Sequence, residues 1–222
     1  MEQSTLGIAA FTALMGVLST LVALPLGIAA AWVLARRSFP GKPLLETLLA
    51  LPLVLPPVAT GFLLLQIFGL NSMVGRALDA AGLEVVFTWK AVVLAMAVMS
   101  FPLIVLTVRA GLEQVDRRYE RVAATLGAGP WRVFGTITLP LAARSILAGA
   151  MLGFARALGE FGATIVVAGG IPGQTQTLAV AIFNLTESGR DADASRLLLV
   201  SAGLAFGAML LATLVQRKRV ST

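Results

Sequence analysis

The sequence predicts an all-α integral membrane protein of five transmembrane helices. Three observations carry that prediction. The mean hydropathy is +0.90 over the whole chain, outside the range of soluble domains. Apolar stretches of spanning length alternate with short loops that hold most of the Lys and Arg. Prolines sit inside the apolar stretches, so the helices are expected to be broken or kinked.

The first span runs over residues 6–35. It is almost wholly apolar, and about 20 residues suffice to cross a bilayer. Pro25 is tolerable there as a kink if neighbouring groups satisfy the freed carbonyl. The loop ARRSFPGK follows with Arg36, Arg37 and Lys42, which place it on the cytoplasmic side. The N-terminal MEQSTLGIAA lacks the basic region of a cleavable signal peptide.

The second span, 44–70, contains LPLVLPPVATG. Pro52, Pro56 and Pro57 cannot all lie in one regular helix, because each removes a donor and crowds the preceding turn. Backbone groups freed in this way cannot face lipid, so the stretch is expected to be buried or to line a wet cavity. It reads either as a kinked packing helix or as part of a pathway. In the pathway reading Pro56, Pro57, Thr60 and Gly61 are the candidate lining residues.

Residues 71–88 form a mixed external loop, and Trp89 marks the return to the membrane interface. The third span, 89–108, is interrupted by Pro102. A polar loop, 109–140, comes next, with Arg117, Arg118, Arg121 and Arg132 holding it in the cytoplasm. Within it a helix-forming stretch ends at Gly127–Pro130 and an apolar pattern resumes at Trp131. Two short helices around this glycine-rich elbow would present Ala123, Gly127 and Trp131. The small residues admit a partner's backbone, and an exposed Trp is an anchor. The bland alternative is a linker between two membrane helices.

The fourth span, 141–168, holds the charges Arg156 and Glu160 inside an apolar run. Charge at that depth is costly and faces protein or water. The i,i+4 spacing lets the two pair on one helix face. They read either as a neutralising structural pair or as residues that tune an anion path or gate, with Thr164 as a further lining candidate. Residues 169–196 are expected to be an external loop with a short amphipathic or half-inserted helix, since 177–185 is too short to span. The fifth span is 197–215, followed by Arg217, Lys218 and Arg219.

Twelve Lys and Arg then fall on the cytoplasmic side and four outside, with Arg156 in the membrane. That asymmetry sets the N-terminus outside and the C-terminus in the cytoplasm. It also accounts for the net charge of +6 without invoking nucleic acid. The chain has no His and no Cys, which excludes the usual zinc sites, disulfides and His-based acid–base catalysis. No G-x-x-x-x-G-K-[ST] occurs, so no nucleotide-binding domain is expected, and no internal repeat or low-complexity tract is evident.

The 109–140 loop resembles the cytoplasmic loop of ABC importer permease subunits, patterned E-A-A-x3-G-x9-I-x-L-P. Ala123, Gly127, Ile137, Leu139 and Pro140 fall at that spacing. Arg121 and Val122 replace the glutamate and first alanine, and Glu120 lies one residue early. The segments ARALGEFGAT, IPGQTQTL, ARRSFPGK and VMSFPLIV extend the resemblance to the permease subunits of bacterial molybdate importers, from about Ile28 to the C-terminus. Tungstate and sulfate/thiosulfate permeases are the related alternatives.

The resemblance implies the type I importer permease fold with a cytoplasmic coupling helix, in a homodimer in the inner membrane. It implies two ATP-binding cassette subunits that consume the ATP, and an external binding protein that delivers the oxyanion. The permease itself would be no enzyme and hold no cofactor. Arg121, Ala123, Gly127, Ala128, Trp131 and Arg132 are then the residues expected to couple to the ATPase. From another class, a passive anion channel would not require the elbow loop, and in a structural membrane scaffold the proline-broken spans and intramembrane charges would be a cost with nothing moved.

Overall fold

A computed structural model describes residues 4–217, with side chains through 214. Lys218 and Arg219, counted above as topogenic charges, lie outside the described residues. The described residues contain helices and no strand.

The longest helices are α1 (Thr5–Arg36), α5 (Trp89–Glu113) and α11 (Asp191–Arg217). Ser4 caps α1 by accepting from the Gly7 N–H at 3.1 Å, and Thr88 caps α5 by accepting from the Lys90 N–H at 3.2 Å. Helix α5 is the centre of the molecule. Its Met96, Met99, Ile104, Val108 and Leu112 are fully buried between α1 on one side and α8 (Leu139–Leu158) on the other.

In lipid, helices associate by close fit rather than by hydrophobic exclusion, and small residues at the crossings permit it. A Cβ placed on Gly27 of α1 would sit 2.8 Å from Ile104, and one on Gly153 of α8 would sit 2.6 Å from the same side chain. Gly111 of α5 lies against Ser145 of α8 in the same manner. By contrast, Leu198, Leu199, Phe206 and Leu211 of α11 and Leu14, Leu21 and Leu26 of α1 are exposed, as lipid-facing residues are.

The expected second span is two helices, α2 (Lys42–Val54) and α3 (Pro57–Phe68), bent by 112°. The break falls at Pro56–Pro57. Pro57 occupies the first position of α3, where a missing N–H is harmless, and α2 closes before it with the Leu55 N–H on the Leu51 carbonyl. Glu46 of α2 pairs with Arg109 at one end of α5, whereas Phe68 of α3 packs against the cluster around Ala91 and Val92 at the other. These ends are about 27 Å apart at 1.5 Å per residue. The bent pair therefore runs the length of the bundle.

The loop expected at 109–140 is narrower than its sequence limits. Helix α5 continues to Glu113, and α7 (Pro130–Val133), a π-helical stretch Phe134–Thr138 and α8 form one continuous run from Pro130 to Leu158. Between them lies α6 (Arg117–Thr125). The span expected at 141–168 is interrupted: α8 stops at Leu158 and α9 (Gly162–Ala168) begins after a break. Helix α4 (Met73–Ala80) lies between α3 and α5. Helix α10 (Leu178–Glu187) is fastened to α1, where Thr12 Oγ1 accepts from the Leu178 N–H at 2.9 Å, and its Leu178 and Ala181 pack with Ile8 and Leu197.

Candidate functional site: the elbow loop and the break between α3 and α9

Asp116 starts α6 by accepting from the Arg118 N–H at 2.8 Å. The helix ends in a left-handed turn at Gly127, with φ +84°. There the Gly127 N–H donates to the Ala124 carbonyl at 3.0 Å and the Ala128 N–H to the Ala123 carbonyl at 3.1 Å. This pair of bonds is the Schellman closure, and it needs a residue that accepts positive φ. Pro130 then opens α7 at its first position.

The elbow is fastened to the end of α1. Glu120 accepts from Arg36 Nη2 at 2.8 Å and Arg36 Nε at 3.1 Å, and also from Thr138 Oγ1 at 2.8 Å. Arg117 donates to the Ala35 carbonyl at 3.0 Å. Trp131 stacks on Trp32 of α1, ring centroids 6.5 Å apart and planes 23° apart, and Phe134 meets the edge of Trp32 at 5.9 Å. Arg37 lies 5.6 Å over the Trp32 ring. A cavity of about 340 Å³ remains between the elbow and α1, lined among others by Trp32, Arg37, Arg117 and Phe134.

Of the loop residues singled out in the sequence, Arg121, Gly127, Trp131 and Arg132 are exposed, Trp131 to 81%, while Ala123 and Ala128 are half-buried. The outward face is broader than the sequence indicated. Tyr119, Val122 and Leu126 are also exposed, and their three- and four-residue spacing puts them on one side of α6. Glu120, set aside in the pattern as one residue early, is the carboxylate that ties the loop down.

The second constellation is at the two helix breaks. Gly61 of α3 crosses α9 so closely that a Cβ there would lie 2.7 Å from the Ala163 carbonyl oxygen, and a Cβ on Gly162 would lie 2.8 Å from Pro57. Pro57, Gly61 and the Glu160–Thr164 segment are thus brought together, with Pro56 at the edge. Thr60 and Thr164 flank this crossing, and both hydroxyls are buried with no hydrogen-bond partner.

Arg156 and Glu160 pair, Nη1 to Oε2, at 2.8 Å. The pair does not lie on one helix face, as the i,i+4 spacing led us to expect. Helix α8 ends at Leu158, and Glu160 stands in the break with its other oxygen, Oε1, accepting from the Ala163 N–H at 2.8 Å. A single carboxylate, 1% exposed, therefore answers both a guanidinium and an orphan amide at the start of α9. Arg156 is 30% exposed.

The chain is 49% identical over 202 residues to the molybdenum transport system permease protein ModB of Escherichia coli, covering 90% of this chain and 88% of that one. It is 46% identical to the ModB of Haemophilus influenzae over the same shares. It is also 40% identical to the sulfate transport system permease protein CysW of Synechococcus elongatus, over 77% of this chain and 60% of that one. Its backbone follows a subunit of the bacterial alginate ABC transporter crystallised in complex with an alginate pentasaccharide-bound periplasmic protein. The TM-score is 0.71 at 19% identity, over 99% of this chain and 81% of that one, a likeness of fold alone. The family described as the inner membrane component of binding-protein-dependent transport systems matches residues 23–220, and the chain belongs to it.

Proposed function

We propose that this chain is the membrane-spanning subunit of an ATP-driven importer that carries molybdate across the cytoplasmic membrane. In this reading two copies form the pore, an external oxyanion-binding protein delivers the substrate, and two ATP-binding cassette subunits on the cytoplasmic side hydrolyse ATP. The N-terminus is outside and the C-terminus in the cytoplasm. Tungstate and sulfate or thiosulfate are the competing substrates, and the identity to molybdenum permeases exceeds that to the sulfate permease.

The observation that carries the reading is the elbow itself. An exposed apolar face with Trp131 is held by Glu120 and Arg36 to the end of a membrane helix. Such a surface is suited to a groove in a partner, and its fastening would pass the partner's movement to α1 and α8. Arg121, Ala123, Gly127, Ala128, Trp131 and Arg132 are the residues assigned to that contact.

The path for the dianion is assigned to the α3–α9 break, with Pro56, Pro57, Thr60, Gly61 and Thr164 along it. A free arginine there would hold the anion as a trap, whereas weak dipoles and hydroxyls release it. Glu160 neutralises Arg156, so the pair supports the break without acting as a sink.

The test is reconstitution of the permease with its ATPase and binding protein in liposomes, with molybdate, tungstate and sulfate supplied in turn. Molybdate-stimulated ATP hydrolysis and uptake is expected. Uptake without ATP or ATPase would instead establish a passive anion channel, the reading from another class.

A further inference from the structure

We infer that Thr60 and Thr164 form a transit site for the tetrahedral oxyanion built from hydroxyl groups alone, sealed in this conformation by the packing of α3 on α9; the inference rests on the importer reading above.

Hydroxyls in membrane helices ordinarily satisfy themselves by donating to a carbonyl one turn back. That is what the buried ones elsewhere in these helices do. Thr12 donates to the Ile8 carbonyl, Ser19 and Thr20 to that of Gly16, and Ser100 to that of Met96, each at 2.8 Å. Two others find different partners: Thr138 donates to Glu120 and Thr175 to the Ala168 carbonyl. Among the described residues, Thr60 and Thr164 are the two whose buried side-chain oxygens meet no partner. Thr60 is 5% exposed and Thr164 fully buried.

Buried hydroxyls without partners are uncommon and ask for an explanation. Here the two come from different helices and flank one crossing, where Gly61 touches the Ala163 backbone. A glycine at this contact lets the helices close without side chains between them, and each threonine adjoins a residue of that contact, Thr60 beside Gly61 and Thr164 beside Ala163.

The chemistry suits an oxyanion. A fully ionised tetrahedral oxyanion accepts hydrogen bonds and donates none, and each threonine supplies one donor. Hydroxyl oxygens would also serve a cation, which would then need a free carboxylate nearby. Glu160 is the carboxylate at hand, and both its oxygens are engaged, by Arg156 and by the Ala163 N–H. What is left for a ligand is a pair of uncharged donors, which bind and let go.

The experiment compares Thr60→Val and Thr164→Val with Thr60→Ser and Thr164→Ser in the complete reconstituted importer. Valine keeps the shape and removes the hydroxyl. Because the hydroxyls bind nothing in the closed form, the valine variants are expected to assemble and to melt no lower than the wild type. Their molybdate uptake is expected to fall about 10- to 100-fold, the loss of one hydrogen bond to a charged group, while the serine variants stay within about twofold of the wild type. Valine variants that transport as well as the wild type would overturn the inference, as would valine variants that fail to assemble, since the hydroxyls would then serve folding. A wild-type complex that imports none of molybdate, tungstate or sulfate would instead remove the importer reading on which the inference rests.

Discussion

Arg36, the last residue of α1, and Glu120, in the helix of the elbow loop, are joined at 2.8 Å, and the same carboxylate holds Thr138 at the entry to α8. Three elements far apart in the chain meet on one side chain. Arg36 is nearly buried there, so removing the carboxylate leaves a guanidinium with little access to water. Glu120→Ala is expected to loosen the elbow and to lower ATP-coupled uptake more than it lowers insertion in the membrane. Adding Arg36→Ala should recover part of the loss, with a coupling of about 0.5–3 kcal/mol between the two sites in a double-mutant cycle of thermal stability. Additive effects would mean that the pair does not act as a unit.

Glu160→Ala is expected to be among the most damaging single substitutions in the membrane region. It leaves both Arg156 and the Ala163 N–H without their acceptor. The cost of an unpaired buried charge is about 3–5 kcal/mol, and the partial exposure of Arg156 brings the expectation to about 2–3 kcal/mol. Glu160→Gln retains an oxygen for the amide and should be milder. The double variant with Arg156→Ala should melt higher than Glu160→Ala alone, and detergent-phase melting of the three variants checks the order.

Gly127→Asp tests the elbow as a docking element. There is room for a side chain, since nothing lies within 4 Å of a Cβ built there. A positive φ costs an ordinary residue about 1–2 kcal/mol and Asp less, so the added carboxylate on an exposed elbow is what the variant tests. Leu126→Glu makes the complementary test, because Leu126 is 82% exposed and its replacement costs the fold little. Both variants should insert normally and lose ATPase in a pull-down. A Leu126→Glu permease that retains the ATPase and full uptake would remove the docking role from this face.

Gly153→Leu should block assembly of the bundle, since even a Cβ would lie 2.6 Å from Ile104. Overpacking of this kind costs about 1–3 kcal/mol and more where the neighbours cannot move. Gly203→Leu on α11 is the matched control, with open space around it, and should leave melting and yield unchanged.

Much of this architecture is legible in the sequence because lipid permits few solutions. A run such as residues 89–108 can only be a helix, and three prolines within residues 52–57 can only break one. Gly127 followed by Pro130 spells the end of one helix and the start of another, and the left-handed turn is where that spelling puts it. The status of Glu160 was not legible, because i,i+4 spacing reads the same in a continuous helix and across its end. Glu120 was obscured by a pattern that expects its glutamate one position later, although its partner is set by where α1 ends rather than by register. Arg36 counted in the sequence as a topogenic charge, and nothing local shows that it also binds across the loop. Thr60 and Thr164 are legible as lining candidates, but the burial of both hydroxyls without a hydrogen-bond partner is not. Whether a hydroxyl finds a partner is decided by tertiary packing, which no window of residues contains.

The π-helical stretch at Phe134–Thr138 has a rotational consequence. In it the Leu139 N–H reaches back to the Phe134 carbonyl, so this turn holds one residue more than an α-helical turn would. Removing a single residue from the stretch would restore α-helical register and turn everything before it by about 100° around the axis, with a shift of about 1.5 Å along it. Trp131 would then swing away from Trp32, and Thr138 could no longer face Glu120 while α8 kept its place. The wide turn thus sets the clock angle between the exposed face of the elbow and the membrane helix, independently of how long either helix is.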